Sequence, residues 1–211
     1  MYKAVLWDFG GVITSSPFEA FNRYEKENNL PENFIRKVNS TNPDTNAWAL
    51  LESNQISLEE FDKHFADEAL EIGEKLQGAE VLALLSGNIR PEMVQTLKKI
   101  KTKYQVACIT NNVIPNDEQK SQNEKSKAIA EVFSIFDTVI ESSKVGIRKP
   151  QPQIYQIACS ALGIEPHEAI FLDDLGINLK PAKAMGMTTI KVVEAKPAIA
   201  ELAKLLEMDL P

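Results

Sequence analysis

Five short apolar runs fix what this chain can fold into. They occupy residues 3–8, 105–110, 138–141, 169–173 and 188–193. Each is brief and nearly continuous in its apolarity, the pattern of a strand buried on both faces. Helical spacing fills the later gaps. Met93, Leu97 and Ile100 recur at that period, as do Ile154, Ile157, Ala158, Ala161 and Leu162, with Pro152 in a first-turn position. Leu202, Leu205 and Leu206 close the chain in the same manner. Strands alternating with helices predict an α/β fold, a doubly wound, Rossmann-like parallel sheet.

The first connection breaks this rhythm. A βαβ unit needs only about 30 residues, yet residues 9–104 separate the first run from the second. A structureless loop of that size does not belong in a compact domain. The segment carries helical signals instead. Phe18, Phe21 and Tyr24 share a face, Ser57 and Glu60 form a capping-box pair, and Phe61 and Phe65 lie one turn apart. Residues 14–89 are therefore read as an inserted helical cap domain. Residues 1–13 and 90–211 form the core domain. The cap is expected to hang from the carboxyl edge of the sheet, over Asp8, where it would exclude water and read a substrate. An insertion with no role at the site is the competing reading. The polar run from Asn116 to Lys127 is expected to be a solvated loop and helix start.

Composition narrows the function. The net charge of −7 argues against a nucleic-acid or anionic-membrane surface. No apolar run approaches the roughly 20 residues that span a bilayer, and Asp8 interrupts the only N-terminal run that could resemble a signal peptide. Cys108 and Cys159 sit in apolar segments and read as reduced core residues, so a cytoplasmic setting is expected. Neither Cys nor His clusters at zinc-ligand spacing.

Four segments carry chemistry. In Trp7-Asp8-Phe9-Gly10-Gly11, an acid ends a buried strand, where open α/β sheets bind ligands. The glycines let backbone and bare N–H groups approach an anion. In Ile109-Thr110-Asn111-Asn112, a hydroxyl ends the second strand; the Thr110 side chain and the Asn111 N–H suit a phosphate oxygen, though Thr is also an ordinary cap. In Arg148-Lys149-Pro150-Gln151-Pro152, two prolines hold Lys149 before a helix, where an ammonium would neutralise an acid–phosphate pair. In Leu172-Asp173-Asp174-Leu175-Gly176, two acids end another buried strand, an arrangement that is costly without a cation. With Asp8 they form a hard oxygen cluster suited to Mg²⁺.

Asp, Thr, Lys and Asp-Asp, in that order on successive strand ends, resemble the haloacid dehalogenase-like hydrolase superfamily. The resemblance spans almost the whole chain, including the helical cap after the first strand. Residues 171–180 are similar to the N-terminal phosphatase-type domain of soluble epoxide hydrolases, and more so to the corresponding domain fused to acyl-CoA dehydrogenases. Trp48, Glu52, Ile56, Ser57 and Phe61 fit that branch. Asn54 stands where Gly is common, and Asn tolerates the same left-handed backbone.

The resemblance implies that Asp8 attacks phosphorus and forms an aspartyl-phosphate. It implies Mg²⁺ held by Asp8, the Gly10 carbonyl and Asp174, with Asp173 direct or through water, and Asn178 orienting the acid pair. Thr110, Lys149 and the Phe9 and Gly10 N–H groups would hold phosphate oxygens. One departure matters. Phosphatases of this family usually carry a second Asp two residues after the nucleophile, as general acid and base, and here that position is Gly10. Such catalysis is worth about 10²–10⁴-fold, so aryl or acyl phosphates would suffer least. Glu52 is a candidate replacement from the cap. The primary expectation is a Mg²⁺-dependent phosphatase acting on a small phosphorylated metabolite. The alternatives are a catalytically impaired phosphate-binding or interaction module, and a haloacid dehalogenase, against which the acid pair argues. The chain is expected to be free-standing, monomeric or homodimeric, without nucleic-acid or membrane partners. His64 and His167 are expected at the surface, and Trp48 in the core of the cap.

Overall fold

The computed structural model describes residues 1–112 and 124–211. A five-stranded parallel sheet forms the core, with strands β1 (Ala4–Trp7), β2 (Gln105–Thr110), β3 (Thr138–Glu141), β4 (Ala169–Asp173) and β5 (Thr188–Lys191) in the order β3-β2-β1-β4-β5. All five expected strands are present. The first starts at Ala4 and the last stops at Lys191, where the in-register pairing of neighbouring strands begins and ends. From β1 the chain steps outward through β2 to β3, then returns across β1 to β4. The switch in direction falls between β1 and β4, the crevice where sheets of this type bind ligands.

Both faces of the sheet are covered, which explains why its strands read as unbroken apolar runs. Successive residues of β1 point to opposite sides. Val5 and Trp7 join a cluster with Met93, Leu97 and Ile100 of α6 (Pro91–Lys101), and with Ile199 and Leu202 of α11 (Ala195–Leu206). Ala4 and Leu6 join a second cluster with Ile154, Tyr155, Ala158 and Leu162 of α9 (Pro152–Leu162) and with Leu179 and Ala182 of α10 (Gly176–Ala184). In α9 the buried stripe contains Tyr155 and Cys159, whereas Ala161, expected on that face, is exposed. Both cysteines are free and buried. Of the polar run at 116–127, residues 116–123 lie outside the described residues, and α7 (Glu124–Phe133) takes the rest.

Between β1 and α6 the described residues form five further helices: α1 (Phe18–Glu27), α2 (Phe34–Ser40), α3 (Ala47–Glu52), α4 (Leu58–Ile72) and α5 (Gly78–Ala83). They bury a core of their own, built on Phe21, Phe34, Trp48, Phe61 and Phe65. Trp48 packs on Phe61 at a ring separation of 4.9 Å, inside the cap as expected. The Ser57–Glu60 capping box forms at the start of α4. Asn54 takes the left-handed backbone at φ 56°. Carboxylates stitch the helices together at their N-termini. Glu25 accepts from Asn33 and Ile35 N–H, Glu68 from Ala47 N–H and Asp62 from Ala79 N–H, all at 2.7–2.9 Å. Where the chain leaves and rejoins the sheet, Thr14 bridges Ile89 in antiparallel fashion. Among the described residues no helix is long and apolar enough to cross a membrane.

Candidate active site

The ends of β1 and β4 flank the switch point, so the fold delivers Asp8 and Asp173 to one crevice. The pairing runs on past β1: Asp8 N–H donates to the Leu172 carbonyl at 2.8 Å. The chain then turns sharply, with Ile13 and Thr14 N–H both donating to the Phe9 carbonyl. The two glycines of this turn do different work. Gly11 has φ 77°, and a Cβ there would lie 2.2 Å from an Asp174 carboxylate oxygen, so only glycine fits. Gly10 is exposed, and a Cβ there would meet nothing within 4 Å. Nothing in the backbone excludes a side chain at position 10.

Lys149 is 1% exposed and sits between two acids. Its Nζ lies 2.7 Å from Asp8 Oδ1 and 2.8 Å from Asp173 Oδ2. Asp8 Oδ1 also accepts from the Phe9 N–H at 2.7 Å, so the N–H expected to face phosphate is turned onto the acid in this structure. Asp173 is completely buried and heavily bonded. Asn178 Nδ2 donates to both of its oxygens at 3.1 and 3.0 Å, and Leu175 N–H donates to Oδ1 at 2.8 Å. Tyr155 in turn donates its hydroxyl to the Asn178 carbonyl at 2.7 Å. Asp174 is more open, with Ser16 donating to its Oδ2 at 3.3 Å.

Three carboxylates thus face one ammonium, and their ligand atoms all lie within 4.8 Å of one another. Burial holds the Asp8 carboxyl well above the usual range, with Asp173 and Asp174 adding to the rise and Lys149 opposing it. Burial, then the Asp173 charge, pushes Asp174 up to about 6. Burial alone would depress Lys149, but Asp173 and Asp8 outweigh it and raise the ammonium above its ordinary value. Such a cluster is short of positive charge. Its donors are hard oxygens, and Asp174 is the least committed of them, so the residues present fit a divalent cation such as Mg²⁺.

Thr110 is buried at the end of β2, in register with Glu141 of β3. The Asn111 side chain does not turn toward the acids. It grips the backbone of Lys149, accepting from its N–H at 2.8 Å and donating to its carbonyl at 3.0 Å. Asn112 ties β2 to α8 (Ser142–Val145) through Ser142 and Ser143. Glu52, considered as a replacement acid, is held by Arg148 at 2.7 Å and by the Asn111 amide at 3.1 Å. Those bonds commit it to a structural contact. His64 and His167 are exposed, as expected. The sequence reading missed Arg148, Ser16, Tyr155 and the Leu175 N–H. Arg148 adjoins Lys149 and could have been weighed for that reason; the other three carry no local signal.

A family model described as haloacid dehalogenase-like hydrolase matches residues 2–186. The chain is 34% identical to acyl-CoA dehydrogenase family member 10 of Mus musculus over 212 residues, 97% of this chain and 19% of that protein. It is 30% identical to bifunctional epoxide hydrolase 2 of Sus scrofa over 220 residues, 99% of this chain and 39% of that protein. It therefore spans well under half the length of these relatives. Among solved structures it resembles a HAD family enzyme of Bacteroides thetaiotaomicron in complex with magnesium and inorganic phosphate. The TM-score is 0.58 at 21% identity, covering 90% of this chain and 94% of the other.

Proposed function

Because the chain belongs to the haloacid dehalogenase-like hydrolases, we propose that this hydrolase is a Mg²⁺-dependent phosphatase working through Asp8 on a small phosphorylated substrate. The observation that carries the reading is the buried cluster of Asp8, Asp173 and Asp174 around Lys149. A magnesium-and-phosphate complex of a protein with the same fold is consistent with it. Residues 14–89 are assigned as the cap domain and 1–13 with 90–211 as the core; the Thr14–Ile89 bridge supports that division.

Asp8, Asp174 and the Gly10 carbonyl would hold the cation, with Asp173 shaping the site from behind. When bound, Mg²⁺ offsets the charge that otherwise keeps an anionic nucleophile from an anionic phosphate. Lys149 and the Phe9 N–H hold Asp8 Oδ1, which leaves Oδ2 as the attacking oxygen. Oδ2 forms a bond to phosphorus as the bond to the leaving oxygen breaks, giving an aspartyl-phosphate. Water then attacks phosphorus and releases Asp8 and phosphate. Thr110, the Asn111 N–H, the Gly10 N–H and Lys149 stabilise the oxygens of the transferred group. Asn178 keeps Asp173 turned toward Lys149. Position 10 offers no carboxyl, so the leaving oxygen takes its proton from water. That favours aryl and acyl phosphates, whose leaving groups need protonation least.

The test is hydrolysis of an aryl phosphate with and without Mg²⁺, comparing wild type with Gly10→Asp. Metal-dependent turnover in wild type, raised about 10²-fold in the variant, is expected. Turnover that ignores metal would overturn the assignment. The open space at Gly10 favours one second reading, a phosphate-binding module that has lost turnover. Beryllium fluoride binding by a wild type with no activity, and activity only in Gly10→Asp, would select it.

A further inference from the structure

We propose that Glu52 of the cap, with Arg148 and Asn111 of the core, forms a latch through which cap docking positions Lys149. The latch is a device of the proposed site, so its effect on turnover rests on the phosphatase reading. Its effect on the backbone does not.

The chain of contacts is short. Asn111 Oδ1 accepts from Lys149 N–H at 2.8 Å, and Asn111 Nδ2 donates to the Lys149 carbonyl at 3.0 Å. This paired clasp fixes the backbone of the residue whose ammonium lies between Asp8 and Asp173. The second hydrogen of the same Nδ2 goes to Glu52 Oε2 at 3.1 Å. That oxygen also takes Arg148 Nε and Nη2, both at 2.7 Å. Arg148 Nη1 reaches the Pro43 carbonyl, just before α3, at 2.9 Å. One cap carboxylate thus holds two neighbours of the site at once, the residue after Thr110 and the residue before Lys149.

The pair is mostly sheltered, with side-chain exposures of 17% for Arg148 and 19% for Glu52. Several charge-assisted bonds on one acceptor, sheltered from water, outweigh an exposed surface pair. They also make an all-or-none contact. A tilt of the cap that withdraws Glu52 breaks the bonds of Arg148 and the outer bond of Asn111 together. Asn111 is then anchored by Lys149 alone, and the clasp loosens. Docked cap and aligned Lys149 are one state; lifted cap and loosened Lys149 are the other. Glu52, Arg148 and Asn111 are positioning residues in this scheme, acting on the reaction through Lys149.

The amide of Lys149 reports the clasp directly, because its acceptor is Asn111 Oδ1. Hydrogen exchange followed residue by residue in metal-free protein is the experiment. In Glu52→Ala the Lys149 amide should exchange about tenfold faster, a typical coupling between bonded neighbours. Amides of β1 and β4 should keep wild-type protection. Glu52→Gln, which retains an oxygen for Asn111 and Arg148, should restore most of the Lys149 protection. Unchanged Lys149 exchange in Glu52→Ala, with the sheet intact, would overturn the latch whatever the activity. If Glu52→Ala unfolds, Glu52→Asp decides: its carboxylate stops a methylene short of Asn111 and Arg148, so the latch requires faster Lys149 exchange with the sheet intact, and wild-type exchange would overturn it. In a wild type that turns over aryl phosphate, both Glu52→Ala and Asn111→Ala should lower kcat more than they raise KM. A pure rise in KM would place the contact in substrate binding instead.

Discussion

The cap and the sheet edge use carboxylates in opposite ways. In the cap, Glu25, Glu68 and Asp62 each meet backbone N–H groups at helix N-termini. Glu25 is only 2% exposed, yet both oxygens have donors. At the sheet edge, Asp8, Asp173 and Asp174 face one another with one ammonium among them. Glu25 is as buried as Asp8 and Asp173, so burial by itself does not separate a structural acid from a functional one. The partners do. An acid with its donors built in, such as Glu25 or Asp173, is finished, whereas Asp8 and Asp174, gathered against the Asp173 charge, await a cation or a substrate.

Breaking each half of this comparison should give opposite signatures. Asp8→Asn should abolish aryl phosphate turnover in steady-state assays while the metal-free protein melts no lower than wild type, because a crowded charge has been removed. Retained turnover would remove Asp8 from the chemistry. In the cap, Glu25→Ala leaves the buried Ile35 N–H and the more open Asn33 N–H without their acceptor and should cost about 1–3 kcal/mol in urea melts. Its effect on kcat should be small by comparison. A loss of turnover without loss of stability would mean the cap acid is not merely structural.

The glycine pair sharpens the contrast within the edge itself. Gly11→Ala places a Cβ against Asp174 on a left-handed backbone and should cost about 1–3 kcal/mol as well as weaken Mg²⁺ binding. Gly10→Ala should leave thermal stability within about 0.5 kcal/mol. Equal effects in the two variants would show that Asp174 does not rest over Gly11.

The pH dependence of the metal-free protein tests the same edge. Asp174 titrates near 6 in the folded chain against an ordinary value of 3.8. Its folded value is raised, so the stability it contributes is complete below about pH 4 and is lost as pH rises through about 6. The loss is on the order of 3 kcal/mol at most. Thermal melts across that window in Asp174→Asn should be flatter than in wild type. An identical slope would assign the shift to another group.

Much of this was legible before any coordinates. Continuous apolar runs give strands buried on both faces, and all five expected strands formed. Ser57 with Glu60 gave a capping box and Asn54 a left-handed turn, because both are decided within a few residues. Other features were not legible. The sequence shows that Gly10 lacks a carboxyl; only the structure shows that a side chain would fit there while Gly11 admits none. Glu52 was weighed as a roving acid and is instead bonded to Arg148 and Asn111. Ser16 and Tyr155 have no local pattern that marks them.

The sequence by itself determined the order of elements, the insertion after β1 and the residue types at the strand ends, because these follow from periodicity and short-range chemistry. The tertiary structure alone decided which donor each acid receives. A carboxylate's partners come from residues far apart in the chain, as in the reach of Lys149 to Asp8 and of Glu52 to Arg148. Their distances are set by how the sheet twists and the cap docks, and no local pattern encodes them.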